Sequence, residues 1–131
     1  MPKTATMKSS PKATAAKKIL VVEDEGEMRL VVDMILSDEK FEVDYLDSLL
    51  AADEYLQTHK PSLIILDNQL PDGFGVDFIT YLRKKYPAIK IIMMSGFATA
   101  RDVAMENGAD LFLEKPFTLD EFYEGVNKLL N

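Results

Sequence analysis

The chain has 131 residues, of which 47% are hydrophobic and 28% are charged, enough for one domain with a sizeable core and too few for two. It contains no cysteine, which excludes a disulfide framework, a thiolate zinc site and a cysteine nucleophile. No apolar run approaches membrane-spanning length, and the N-terminus lacks the hydrophobic segment of a secretory signal. We therefore expect a soluble, cytoplasmic protein.

Charge is distributed unevenly along the chain. Residues 1–18 hold five lysines and no acid, whereas the remaining residues include 10 basic and 22 acidic side chains. Such an acidic body disfavours direct contact with nucleic acid, because phosphate contacts need clustered Lys and Arg. Residues 1–16 lack periodic apolar positions and predict a disordered basic leader before a domain at 17–131. A weak electrostatic tether is the alternative role for this leader.

The first half of the domain alternates apolar strand patterns with helical ones. "KKILVVE" predicts a strand, and "EMRLVVDMILSDE" predicts a helix with one apolar face, made by Met28, Val31, Val32, Ile35 and Leu36. "FEVDYLD" alternates apolar residues with acids, as a half-buried edge strand does. A second helix is predicted from Leu49 to Thr58, and a third strand from Leu63 to Leu66.

The second half repeats this alternation. A third helix is predicted from Val76 to Tyr86, a fourth strand in "AIKIIMMS", a short helix near 101–107 and a fifth strand in "DLFLEK". A last helix begins at "TLDE", where Thr118 and Glu121 have the spacing of a capping box. Five consecutive β-α units predict a parallel sheet covered on both faces, with right-handed crossovers.

Functional residues of such a sheet lie beyond the carboxyl ends of its strands. These ends carry three carboxylates, a hydroxyl and an ammonium, from Glu23, Asp24, Asp67, Ser95 and Lys115. Converging carboxylates need a hard cation, and Mg²⁺ typically takes one or two carboxylates, as Asp24 and Asp67 would supply. A carboxylate can also attack phosphorus and form an acyl phosphate. We therefore interpret Asp67 as a phosphoacceptor, with Lys115 and Ser95 covering phosphoryl oxygens.

Four sequence motifs resemble those of a known protein family. "ILVVEDE", "LIILDNQLPDGFG", "IIMMSG" and "FLEKPF", in this order, resemble the receiver domain of bacterial two-component response regulators, over about Lys17 to Leu130. The resemblance implies a doubly wound (βα)5 flavodoxin-like α/β fold, with a five-stranded parallel sheet of order 2-1-3-4-5. It implies that Asp67 accepts a phosphoryl group from a sensor histidine kinase or a histidine phosphotransferase.

The resemblance also implies a role for each site residue. The metal, Mg²⁺ or Mn²⁺, would be bound by Asp24, by Asp67, by the backbone carbonyl of Gln69 and, through water, by Glu23, which stands where many members have Asp. The phosphoryl group would be bound by Ser95 and Lys115, with Phe112 changing position on activation. The side chains of Gln69 and Phe97 would tune the lifetime of the acyl phosphate, and the Lys115–Pro116 bond would be cis.

Output is expected through protein contacts, because the chain ends directly after the fifth helix. We expect a stand-alone switch that catalyses nothing beyond its own phosphorylation and dephosphorylation. Its target would be an unidentified protein that contacts the fourth helix, the fifth strand and the last helix. The fourth helix, about 99–107, has few apolar anchors, chiefly Val103, Ala104 and Met105, and is expected to be the least stable.

Three other interpretations were weighed. A phosphatase of the haloacid dehalogenase type needs a second Asp two residues after the nucleophile, where this chain has Gln69. A receiver that only binds proteins would have lost some of the five site residues, and all five are present. A flavin-binding module needs a phosphate loop after the first strand, where "EDEGEM" would repel phosphate.

Overall fold

The central element is a five-stranded parallel sheet, seen in a computed structural model that describes residues 17–26, 29–30, 32–33 and 40–131. Its strands are β1 (Lys17–Val22), β2 (Phe41–Leu46), β3 (Leu63–Asp67), β6 (Lys90–Ser95) and β7 (Leu111–Glu114), in the order β2-β1-β3-β6-β7. All four neighbouring pairs are parallel. Counted along the chain these are strands 2-1-3-4-5, so the predicted doubly wound fold is confirmed.

Four helices lie wholly within the described residues and connect or follow these strands: α1 (Leu49–Leu56), α2 (Gly75–Lys85), α3 (Ala100–Asn107) and α4 (Leu119–Leu130). The predicted capping box is present at α4, where the Thr118 side chain accepts from the Glu121 N–H and the Glu121 side chain accepts from the Thr118 N–H. No described helix is long and apolar enough to cross a membrane. The basic leader and most of the first predicted helix lie outside the described residues.

A small hairpin was not predicted. Strands β4 (Gln69–Leu70) and β5 (Gly73–Phe74) pair antiparallel directly after β3. Two-residue strands leave no periodic pattern in the sequence, and Pro71 with Gly73 indicated only a turn. The hairpin holds Gln69 beside the end of β3, where the sequence placed the functional site.

Both faces of the sheet are buried, as a doubly wound fold requires. Alternate residues of the central strands point to opposite faces, so Leu20, Ile64 and Ile91 pack with buried residues of α1 and α2, while Ile19, Ile65 and Ile92 pack with α4. Every residue of β3 from Leu63 to Leu66 is fully buried. This strand therefore gives Asp67 a rigid support.

One prediction about the core is wrong. In α3 only Ala104 is buried, whereas Val103 and Met105 are 45% and 42% exposed. The stripe that faces inward runs through Ala100, Ala104 and Asn107, at the i, i+4, i+7 spacing of a helix face. That stripe is small and polar, so apolar character did not reveal it.

Candidate functional site

Asp67 ends β3 with its carboxylate almost completely shielded from solvent. The residue is 5% exposed, and its Oδ2 lies 3.1 Å from the Nζ of Lys115. This ammonium comes from the segment after β7, two strands away in the sheet. A shielded carboxylate is stable only when it is paired, so the ion pair explains how a charge can end a core strand.

Two further carboxylates approach Asp67 from the segment after β1. Oxygens of Glu23, Glu25 and Asp67 all lie within 4.8 Å of one another. The Glu23 Oε2 accepts hydrogen bonds from the backbone N–H groups of Glu25 at 2.8 Å and Gly26 at 2.9 Å. These bonds fix Glu23, which is 8% exposed. Like charges this close favour a bound divalent cation, and three carboxylates with a nearby carbonyl suit the oxygen preference of Mg²⁺.

The site opens into a cavity of about 510 Å³. Its walls include the predicted residues Asp24, Asp67, Gln69, Ser95, Phe97 and Lys115, together with Glu25, Leu70, Pro71 and Gly96. The structure thus brings together polar groups from the ends of β1, β3, β6 and β7. Such a cavity is large enough for a phosphoryl group, a metal ion and ordered water.

The acidic residues after β1 are arranged differently from the expectation. Asp24, the expected direct metal ligand, is exposed and lines the cavity wall, but it is not part of the close cluster with Asp67. Glu25, which the sequence analysis did not assign to the site, belongs to that cluster. The signal available in the sequence was the uninterrupted acidic run "EDE".

Ser95 and Phe97 lie together at the end of β6. Ser95 is 2% exposed, and its Oγ accepts a hydrogen bond from the Phe97 N–H at 3.0 Å. The Phe97 side chain is 55% exposed at the mouth of the cavity. The hydroxyl is therefore held at the cavity wall, while the aromatic ring is largely exposed to solvent beside it.

Phe112 lies apart from this cavity. It is 3% exposed within β7, and the Arg101 guanidinium lies 4.8 Å from the centre of its ring, within the range of a cation–π contact. The Lys115–Pro116 peptide bond is cis, the form that the resemblance implied. Lys115 then directs its ammonium to Asp67.

The sequence profile of the response regulator receiver domain matches residues 19–127. The chain belongs to this family. This receiver domain is 37% identical over 131 residues to the alkaline phosphatase synthesis transcriptional regulatory protein SphR of Synechococcus elongatus, covering 92% of this chain and 51% of the relative. It is 37% identical over 105 residues to the KDP operon transcriptional regulatory protein KdpE of Escherichia coli, covering 79% and 46%. The chain spans about half the length of these curated relatives.

Solved structures give the same family. The receiver domain resembles the response regulator protein TrrA of Thermotoga maritima in complex with Mg²⁺ and BeF, with 32% identity, a TM-score of 0.77 and coverage of 86% of this chain and 98% of that one. It also resembles a CheY-like receiver domain protein of Methanospirillum hungatei, with 26% identity, a TM-score of 0.79 and coverage of 87% and 94%. The chain is therefore a signalling domain of the two-component type.

Proposed function

We propose that this receiver domain is a switch that accepts a phosphoryl group on Asp67 from a sensor histidine kinase or a histidine phosphotransferase. The observation that carries the proposal is the ion pair of a shielded strand-end carboxylate with Lys115, beside two more carboxylates and an open cavity. We expect the reaction in the cytoplasm, because such a kinase takes its phosphoryl group from ATP. The domain turns over nothing except its own acyl phosphate.

Each side chain has a chemical task in this reaction. A carboxylate oxygen of Asp67 attacks phosphorus while the bond from phosphorus to the donor breaks, which gives an acyl phosphate and the free donor. Lys115 and Ser95 lie where an ammonium and a hydroxyl can bind phosphoryl oxygens. Mg²⁺ or Mn²⁺ bound by the acidic cluster would neutralise charge on the same group. Gln69 and Phe97 line the cavity mouth and would set the lifetime of the product by controlling water.

The metal ligands can be assigned in two ways. The family resemblance favours Asp24, Asp67 and the Gln69 carbonyl, with Glu23 acting through water. The cluster in the structure favours Glu25 with Glu23 and Asp67. Glu23 already accepts two backbone N–H groups through one oxygen, so a water-mediated role suits it. We propose the family assignment, in which Asp24, which lines the same cavity as Asp67 and Glu25, binds the metal directly.

Phosphorylation would be communicated to a protein partner through the face formed by α3, β7 and α4. Exposed apolar side chains on α3 and α4 support this choice: Val103, Met105, Leu119 and Tyr123. SphR and KdpE are transcriptional regulatory proteins about twice as long as this chain, so their functions belong to the whole proteins. We expect the receiver domain itself to make no direct contact with nucleic acid, because acidic side chains outnumber basic ones 22 to 15.

The phosphoacceptor can be tested with a small phosphodonor. Acetyl phosphate with Mg²⁺ should add one phosphoryl group to the wild-type protein, and Asp67→Asn should add none, because the amide cannot form an acyl phosphate. Mass spectrometry of the intact protein gives the readout. Asp77→Asn, which removes an exposed carboxylate of α2 outside the cavity, is the matched control and should label normally. Full labelling of Asp67→Asn would refute the assignment.

The metal ligands can be separated by two variants. Asp24→Asn should weaken Mg²⁺ binding about 10-fold or more, because a direct ligand is lost, whereas Glu25→Gln should change it less. An NMR titration with Mg²⁺ alone measures both dissociation constants. If Glu25→Gln has the larger effect, the cluster seen in the structure is the true ligand set.

A further inference from the structure

Helix α2 begins without a cap of its own. Its N-cap residue is Phe74, whose side chain accepts no hydrogen bond, although the first N–H groups of a helix need acceptors. The acceptor comes instead from Asn68, which precedes Val76 by eight residues. The Asn68 Oδ1 accepts the Val76 N–H at 3.1 Å. A side chain next to the phosphoacceptor therefore caps the helix that follows it.

Asn68 also uses both of its backbone groups. Its N–H donates to the Met94 carbonyl of β6 at 3.0 Å, and its carbonyl accepts from the Gly75 N–H at 2.7 Å. The residue is 8% exposed. A buried amide is costly unless it is hydrogen-bonded, so this set of contacts explains why a polar side chain is tolerated there. Together the hydrogen bonds with Gly75 and Val76 join the two ends of the loop 68–75, and these joined ends form the neck of the loop.

That neck lies against the backbone of the phosphoacceptor. A Cβ atom at Gly75 would come within 2.5 Å of the Asp67 carbonyl oxygen, which shows how closely the start of α2 approaches the end of β3. The same loop carries Gln69, which lines the cavity. The hydrogen bonds of Asn68 with Gly75 and Val76 therefore hold two groups of the site. These are the Asp67 carboxylate, which precedes the loop, and the Gln69 backbone carbonyl, which lies within it.

We propose that Asn68 is a positioning residue of the phosphorylation site, which holds Asp67 and the Gln69 carbonyl in the geometry that binds the metal ion and receives the phosphoryl group. The inference rests on the proposed function of Asp67. A residue with only a structural role would affect stability alone, as any other helix cap does. A positioning residue affects metal binding as well, because a looser neck lets two ligands separate.

The test compares Asn68→Leu with a cap variant at another helix. Leucine has the same number of side-chain heavy atoms as asparagine but no acceptor, so the Val76 N–H loses its partner. Ser48→Ala removes the same kind of bond from α1, where the Ser48 Oγ accepts the Ala51 N–H at 3.1 Å, and Ser48 does not line the cavity. Each change should lower the thermal midpoint by a comparable amount, since each deletes one cap.

The two variants should differ in Mg²⁺ binding. We expect Asn68→Leu to weaken the affinity for Mg²⁺ alone about 10-fold and to slow labelling by acetyl phosphate by a similar factor. Ser48→Ala should leave both within about twofold of wild type. Asn68→Asp keeps an acceptor at the same position and should bind Mg²⁺ at least as well as wild type. If Asn68→Leu does not fold, Asn68→Ser, which is too short to reach Val76, serves in its place.

The outcomes are distinct. Equal Mg²⁺ affinities and labelling rates for Asn68→Leu and Ser48→Ala would overturn the inference and leave Asn68 a helix cap only. So would an Asn68→Asp protein that binds Mg²⁺ as poorly as Asn68→Leu. A wild-type protein that binds Mg²⁺ but is never labelled would overturn the proposed function instead, while the metal titration would still decide the role of Asn68.

Discussion

At the scale of single residues, the exposed carboxylate of Asp72 connects the loop 68–75 to helix α1. The two oxygens of Asp72 accept the N–H groups of Leu49 and Leu50, each at 2.9 Å, at the start of α1. These backbone hydrogen bonds lower the pKa of Asp72 below its ordinary value of 3.8, because they favour the charged form. The loop 68–75 thus caps α2 through Asn68 and α1 through Asp72.

The lowered pKa predicts how stability depends on pH. The folded protein holds the Asp72 proton less tightly than the unfolded chain, so this residue stabilises the fold above the unfolded pKa, and the contribution is lost as the pH falls through the folded pKa. Asp72→Asn should therefore lower the thermal midpoint at pH about 7 and have a smaller effect at pH about 2. Thermal unfolding of both proteins across this range gives the comparison. If the thermal midpoints of the two proteins differed by the same amount at every pH, this role of Asp72 would be contradicted.

At the scale of elements, α3 is held mainly at its C-terminal end. The Asn107 Nδ2 donates to the Val76 carbonyl at 2.8 Å, and the carbonyl of Gly108 accepts from the Arg83 Nε at 3.1 Å and Nη2 at 2.6 Å. At the other end, the Thr99 side chain makes no capping bond. With one buried residue in eight, α3 has much less support than α4, which has four buried residues and a capping box.

We therefore expect α3 to open more readily than α4. Amide protons of residues 104–107 should exchange faster than those of residues 123–130, because local opening is easiest where few apolar contacts are lost. Asn107→Ala should accelerate exchange in α3 and leave α4 unchanged. Hydrogen exchange is followed by NMR, first without a phosphodonor and then with beryllofluoride, which mimics the phosphoryl group. The comparison tests whether occupancy of Asp67 slows amide exchange in α3. Equal protection of the two helices in the apo protein would refute the expectation.

The elements that could be predicted are those with a regular pattern. Buried strands have uninterrupted apolar runs and amphipathic helices repeat every 3.6 residues, so the sheet, its helices and the strand-end residues could be identified. The hairpin β4–β5, the cap from Asn68 and the approach of Glu25 to Asp67 depend on loop backbone instead. Contacts of that kind join residues at irregular spacing, and no periodicity reveals them.

At the scale of the whole molecule, the parallel topology places the polar strand ends on one edge. Because all five strands run in one direction, a carboxylate after β1, another at the end of β3, a hydroxyl at the end of β6 and an ammonium after β7 all lie at that edge. Topology determines which edge holds the site but not which acid of "EDE" turns inward. In the structure the Glu23 carboxylate folds back onto the N–H groups of Glu25 and Gly26, and the Glu25 carboxylate lies close to Asp67.

Lys17, the first residue of β1, is the predicted N-terminal boundary of the domain. Its backbone N–H donates to the Lys40 carbonyl at 2.9 Å, its Nζ donates to the Leu130 carbonyl at 2.6 Å, and it pairs with Phe41 as the first residue of β1. These contacts join β1, β2 and the end of α4. Lys17 is therefore an integral part of the fold.

Two truncations test this boundary. Removing residues 1–16 should leave the thermal midpoint and the rate of labelling by acetyl phosphate unchanged, since every contact of β1 described above survives. The lost lysines also carry charge, but the field of an exposed charge is screened beyond about 8 Å at physiological salt. Removing residues 1–18 should lower the thermal midpoint, because it also deletes the bonds of Lys17 and two residues of β1. If the shorter truncation already lowers stability or the labelling rate, residues 1–16 contribute to the domain and its boundary lies earlier than Lys17.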